Sequence, residues 1–196
     1  MAREDQGTIL TLDEAVLTRR STRSYAERDV PDALLDEILD LARRAPSSRG
    51  LDPWCFVVVR GAEARRRLAE LKNEYCLPEK RRDYPADFVA DAPVVVAVCV
   101  DRERSARRPL ENGVLAAAFL LLAAQARGVG GVYMTGYNPD DPGLAESIAA
   151  TLGLPGHVEP VALLPLGFPA ERRPPRQLGP LANHVHRETF GGRGTT

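Results

Sequence analysis

The chain has 196 residues, 44% of them hydrophobic, and its 26 basic and 27 acidic side chains leave a formal charge of −1. That length fits one globular domain or at most two small ones, and the balanced charge argues against a nucleic-acid partner, which calls for a basic face. Cys55, Cys76 and Cys99 lack the number and spacing of a disulfide framework or a zinc site. "MAREDQGTIL" has no signal-peptide core, and the apolar run from Gly113 falls short of the ~20 residues of a membrane span, so a soluble, cytoplasmic protein without a membrane partner is expected.

In chain order, residues 12–19 read as a short helix leading into "RRSTRSY" (19–25), where arginines and hydroxyls alternate. Apolar residues at 34, 35, 38, 39, 41, 42 and 45 have the spacing of an amphipathic helix, which Pro31 starts and Pro46 stops. "WCFVVVR" (54–60) is a continuous apolar run with β-branched residues, hence a buried strand. A helix follows over 62–74, then a polar excursion over 76–91 with Pro78 and Pro85.

"APVVVAVCV" is a second buried strand. "ENGVLAAAFLLLAAQARG" is a helix apolar almost all round and closed by Gly128. Such a helix has to be covered on every side, between subunits or beneath a sheet. "VGGVYM" is a short strand, 140–152 a helix stopped by "GLPG", and "EPVALLPLGFP" a last core strand before the tail "RRPPRQLGPL". Helices alternate with strands that are apolar on both faces, which predicts an α+β or α/β fold with a sheet covered on both sides.

Four stretches, "RRSTR" (19–23), "APSSRGLDPW" (45–54), "GVGGVYMTGYNP" (128–139) and "LGLPGHVEPVALLPLGFP" (152–169), resemble in order and spacing the nitroreductase family of flavin-binding proteins. The resemblance spans roughly 12–190. It implies one α+β domain over 1–196, a three-layer α/β/α sandwich with a central mixed sheet flanked by helices. It also implies an intertwined homodimer with two FMN sites at the subunit interface and the long apolar helix in the dimer core. Residues 72–91 lie where relatives carry a substrate lid, with Tyr75 and Tyr84 as stacking groups, and 191–196 form a flexible end.

By position in the family pattern, Arg19 and Arg23 face the FMN phosphate, ribityl chain and pyrimidine ring, and Arg20 and Ser21 add further bonds. Arginine suits this role because its fork makes charge-assisted pairs with phosphate oxygens. Pro46, Ser47, Ser48 and Gly50 reach the partner's flavin. Gly50 and Asp52 stand where the family often has Asn and Gln.

Met134, Thr135 and Gly136 lie against the flavin face, with the Thr135 hydroxyl and the Gly136 backbone near N5, the atom that accepts hydride. Leu178 and Gly179 occupy the place of the family's basic pair before "PL", so Arg176 or Arg173 reaches the phosphate in a shifted register. Read without the family, the same stretches are a solvated arginine patch, a helix stop and a strand-end turn. No acid–base dyad, nucleophile or metal site stands out, as expected where a cofactor carries the chemistry.

The implied activity is an FMN-dependent oxidoreductase. NADH or NADPH delivers hydride and leaves, and a small organic acceptor of nitroaromatic, quinone or enone type replaces it. The alternatives are an FMN sensor or store without turnover, a flavin-dependent oxidase or dehydrogenase of a biosynthetic substrate, and an interaction domain that has lost FMN.

Overall fold

The structure, a computed structural model, describes residues 8–75, 85–171 and 173–192. Its elements are α1 (Leu12–Thr18), α2 (Asp32–Ala42), β1 (Trp54–Val59), α3 (Ala62–Glu74), α4 (Phe88–Asp91), β2 (Val94–Asp101), α5 (Pro109–Ala126), β3 (Gly130–Gly131), β4 (Met134–Thr135), α6 (Gly143–Leu152) and β5 (Val158–Gly167). Local chemistry sets several boundaries. α1 starts on a capping box between Thr11 and Glu14. α6 ends on Gly153, whose left-handed φ of +65° a glycine adopts without strain.

The sheet order is β1-β2-β5-β3, with β4 also paired to β5, and all these ladders are antiparallel. A parallel bridge from Ser21 to Gly131 attaches the arginine segment and makes the arrangement mixed. Side chains alternate along the strands. Val94, Val96 and Val98 of β2 and Ala162, Leu164 and Leu166 of β5 face a layer formed by α2 and α5. Val95, Ala97, Cys99 and Leu163 face α3, α4 and α6. The result is the expected α+β, three-layer α/β/α architecture.

Several details differ from expectation. β1 is an edge strand, so Val58 remains 40% exposed although its run is apolar throughout. The strand expected at 129–134 is divided into β3 and β4, because Val132 and Tyr133 leave the ladder between them. Residues 72–74 of the expected lid are the last turn of α3, and 88–91 form α4. Arg65 fastens the C-terminal end of α4 by donating to the carbonyls of Ala90 and Ala92. Cys76 and Tyr84, with the rest of 76–84, lie outside the described residues, as do 193–196 of the expected flexible end.

α5 carries two apolar stripes. Ala116, Ala117, Leu120 and Ala124 are buried against the sheet, whereas Leu110, Val114, Leu115 and Phe119 are 39–40% exposed. The helix approaches β5 so closely that a Cβ on Gly113 would lie 2.6 Å from the Val161 side chain.

Gly113→Ala should therefore destabilise the protein. Helix propensity alone would favour alanine by about 1 kcal/mol, but overpacking of a dense core costs roughly 1–3 kcal/mol. Thermal unfolding checks the balance, and a raised midpoint would show that α5 does not rest on Val161.

Candidate functional site

Residues 19–25 are extended and stitched to the sheet. The Thr22 amide donates to Gly131 O at 3.1 Å and the Ala26 amide to Phe168 O at 2.8 Å. Extended backbone sends successive side chains in alternate directions, and Arg20 and Arg23 find different partners. Arg23 lies over the Phe88 ring, 5.7 Å from its centroid. Tyr25 OH donates toward Thr22 O and Pro165 O at 3.0 and 3.2 Å. Arg20 donates to Pro174 O at 2.6 Å.

A cleft of about 560 Å³ lies between the arginine segment, the end of α5 and the tail, and Arg20, Ser21 and Arg23 all line it, with Gln125, Arg127 and Arg173. Three of its guanidinium groups are engaged, Arg127 with Glu37, Arg173 with Glu171 and Arg20 with a carbonyl, whereas Arg23 meets the Phe88 ring. Arg19 and Arg23 make no ion pair among the described residues, whereas more than half of the described arginines have a carboxylate or carbonyl partner. The unpaired positive charge of this cleft is therefore at Arg23, on the side of the segment that meets Phe88.

Contacts close a rim around that face. Ser21 bridges to Gly131. In β4, which follows, Thr135 O accepts from Lys72 Nζ at 2.7 Å. Asn73, next to Lys72, donates to Asp87 Oδ1 at 2.8 Å, and Phe88, next to Asp87, meets Arg23. Lys72 was not among the residues singled out from sequence. Its signal was available, since it is one of two lysines in a chain whose other 24 basic residues are arginine.

The expected flavin-face residues divide as well. Thr135 is exposed, and its hydroxyl has no hydrogen bond among the described residues. The Gly136 amide, expected to approach N5, donates instead to Val161 O at 2.8 Å. A Cβ at Gly136 would lie 3.1 Å from Pro160 backbone atoms, so close strand packing accounts for this glycine. Met134 packs into the α3–α6 side of the core. Tyr75, expected to stack on a ligand, sits beside Gly143 with its hydroxyl 3.5 Å from Ser147 Oγ. Arg176 is exposed and makes no ion pair among the described residues.

Pro46, Ser47, Ser48 and Gly50 lie elsewhere. The Ser48 amide donates to Asn112 Oδ1 at 2.9 Å, near the start of α5, whereas the cleft beside the arginine segment includes Gln125 and Arg127 at its end. Asn112 and Gln125 are roughly 20 Å apart at about 1.5 Å per helical residue. One chain thus brings the two expected halves of the site to opposite ends of α5. The serine loop is tightly wound: Arg49, Gly50 and Asp52 have φ of 60°, 62° and 46°. Ser47 Oγ secures it by accepting from the Asp52 amide at 3.0 Å and donating to Asp52 Oδ1 at 2.9 Å.

Comparison with known proteins places the fold in a family. The sequence model of the Nitroreductase family matches residues 16–168. A putative NADH dehydrogenase/NAD(P)H nitroreductase of Methanothermobacter thermautotrophicus is 37% identical over 167 residues, 84% of this chain and 81% of that protein. The crystal structure of a putative NADH dehydrogenase/NAD(P)H nitroreductase from Parabacteroides distasonis superposes with a TM-score of 0.79 at 29% identity, over 91% of this chain and 98% of that one. An FMN-dependent nitroreductase from Clostridium difficile gives 0.77 at 26%, over 91% and 99%.

Burial pushes the Tyr25 phenol well above its ordinary range, and Arg23 beside it offsets only part of the rise. An unfolded phenol ionises near pH 10, so this contribution to stability is complete below about pH 10 and is lost as the pH climbs further. Tyr133, also raised by burial, acts in the same direction. Tyr25→Phe should cost about 1 kcal/mol at neutral pH through its lost hydrogen bonds and flatten the alkaline decline in denaturant titrations. An unchanged decline would show that Tyr25 ionises freely in the folded protein.

Proposed function

The chain belongs to the nitroreductase family, and on that premise we propose that it oxidises NADH or NADPH and passes the hydride to a small organic acceptor of nitroaromatic, quinone or enone type, in a ping-pong sequence. It is an FMN-dependent NAD(P)H oxidoreductase. The observation that carries the reading is Arg23, a guanidinium without a carboxylate partner among the described residues, which lines the cleft beside the arginine segment and meets Phe88 on the side linked through Asp87 and Asn73 to Lys72 and Thr135. A phosphate-bearing ligand meets that unpaired charge, and forked guanidinium groups bind phosphate well. FMN, when bound, supplies the ring that accepts hydride and releases it.

The chain's residues bind and orient. Arg19, Ser21 and Arg23 hold the phosphate and ribityl end. Lys72 anchors the Thr135 carbonyl and keeps a cation on the rim, and the exposed Thr135 hydroxyl would serve as a donor to the ring. A second copy of the chain supplies Pro46, Ser47, Ser48 and Gly50. Support for that copy comes from the exposed apolar stripe of α5, continued by Leu12, Val16 and Leu17 on the adjoining α1. Contiguous apolar surface of this kind marks an interface.

The purified protein should be yellow, bleach anaerobically with NADH or NADPH, and regain colour on addition of an acceptor. Colour that persists with both nicotinamides would favour a flavin sensor or store. Arg23→Ala should fold yet bind FMN about ten- to a hundredfold more weakly, since a hydrogen bond to a charged group contributes roughly 1.5–3 kcal/mol. Unchanged affinity would remove Arg23 from the site.

For the interface, Phe119 is the informative position, because Leu121 is a core residue and its replacement would damage the fold. Phe119→Glu should give a folded monomer that has lost FMN. A monomer with parental FMN affinity, by ultracentrifugation and fluorescence titration, would overturn the shared site.

A further inference from the structure

Among the described residues only two polar side chains are fully buried, Ser105 and Asn112, and they lie together. Asn112 is 1% exposed and has its amide engaged at both ends: Oδ1 accepts from the Ser48 amide at 2.9 Å, and Nδ2 donates to Ser105 O at 3.1 Å. Ser105 Oγ in turn donates to Asp101 O at the end of β2. A parallel link runs from Arg104 Nη2 to Leu51 O at 2.9 Å. The Ser47–Asp52 loop, with two non-glycine residues in left-handed backbone, is thereby tied to the sheet through α5.

We infer that Asn112 is a positioning residue for the flavin site, setting the serine loop that its chain offers to the neighbouring copy. The inference rests on the proposed reading of Ser47 and Ser48 as flavin contacts. A buried amide that only filled space would be replaceable by an apolar side chain, and buried polar groups are kept where both partners need satisfying. Here the partner on one side is the backbone of the ligand-bearing loop. With its N–H turned inward to Asn112, Ser48 keeps a hydroxyl that makes no hydrogen bond among the described residues.

The test uses the full chain and the variants Asn112→Leu and Asn112→Asp, with Ile148→Val, in the opposite core layer, as a control for general destabilisation. Amide exchange by NMR reads the loop directly, and fluorescence titration reads FMN affinity. In Asn112→Leu the Ser48 amide should exchange roughly tenfold faster than in the parent. The FMN dissociation constant should rise about three- to tenfold beyond that of the control, and Asn112→Asp, which keeps the acceptor oxygen, should recover part of both. Unchanged Ser48 exchange would show that Asn112 does not hold the loop. Faster exchange with FMN affinity equal to the control would make Asn112 structural only. A parent protein that takes up no FMN would overturn the flavin reading itself, and this inference with it.

Discussion

The close seat of α5 on the sheet is the constraint from which the rest follows. Gly113 lets the helix start against Val161, and near its other end Leu121 comes within 3.1 Å of where a Cβ on Gly131 would stand. Once seated, the two ends of the helix become fixed points. At one end Asn112 holds the Ser48 amide. At the other, Gln125 donates to Thr18 Oγ1 at 3.1 Å and Ala126 O accepts from the Leu10 amide at 2.9 Å, which holds α1 and the arginine segment that follows it. Positioning of both site-bearing stretches is thus a consequence of core packing, and substitutions beneath the helix should be felt at the site.

Arginine serves two purposes in this chain. Many guanidinium groups act as clamps on main-chain carbonyls: Arg60 on Val30 O, Arg65 on Ala90 O, Arg102 on Gly156 O and Arg104 on Leu51 O. These bonds tie loops to neighbouring elements and use the planar fork of the side chain. The surface ion pairs, such as those of Arg43 and Arg44 with Asp40, contribute little to stability because water screens them. Among the described residues Arg19 and Arg23 do neither, and a cation without a counter-charge is one that a bound anion stabilises.

The core was legible because its signals are local. Apolar runs and proline or glycine stops placed β2, α3 and α6 to within a few residues, and the two-sided runs required two covering layers. What could not be read depends on long-range pairing. "WCFVVV" has the composition of a central strand, yet it lies at the edge because nothing pairs beyond it among the described residues. That Arg20 and Arg23 take different partners required knowing that the segment is an extended neighbour of β3. Thr135 could be chosen from a family pattern, but the Gly136 amide is taken by Val161 O, a partner 25 positions away. Asn112 looks, in sequence, like a polar interruption at the start of an apolar helix, and only the packed structure shows which loop it holds.

The geometry of α5 also bears on the symmetry of the proposed dimer. An isologous pair places the same patch of each copy on the other about a two-fold axis. If the axis passes through the exposed stripe of Leu110, Val114, Leu115 and Phe119, with the two α5 helices antiparallel, the Asn112 end of one helix approaches the Gln125 end of its mate. Ser47 and Ser48 of one chain then come toward Arg19 and Arg23 of the other, twice, without either half-site moving within its own chain. A parallel arrangement would bring like ends together, placing uncompensated arginines beside one another. In such a pair the apolar stripe would supply the driving force, and the unlike chemistry at the two ends of the helix would select its direction.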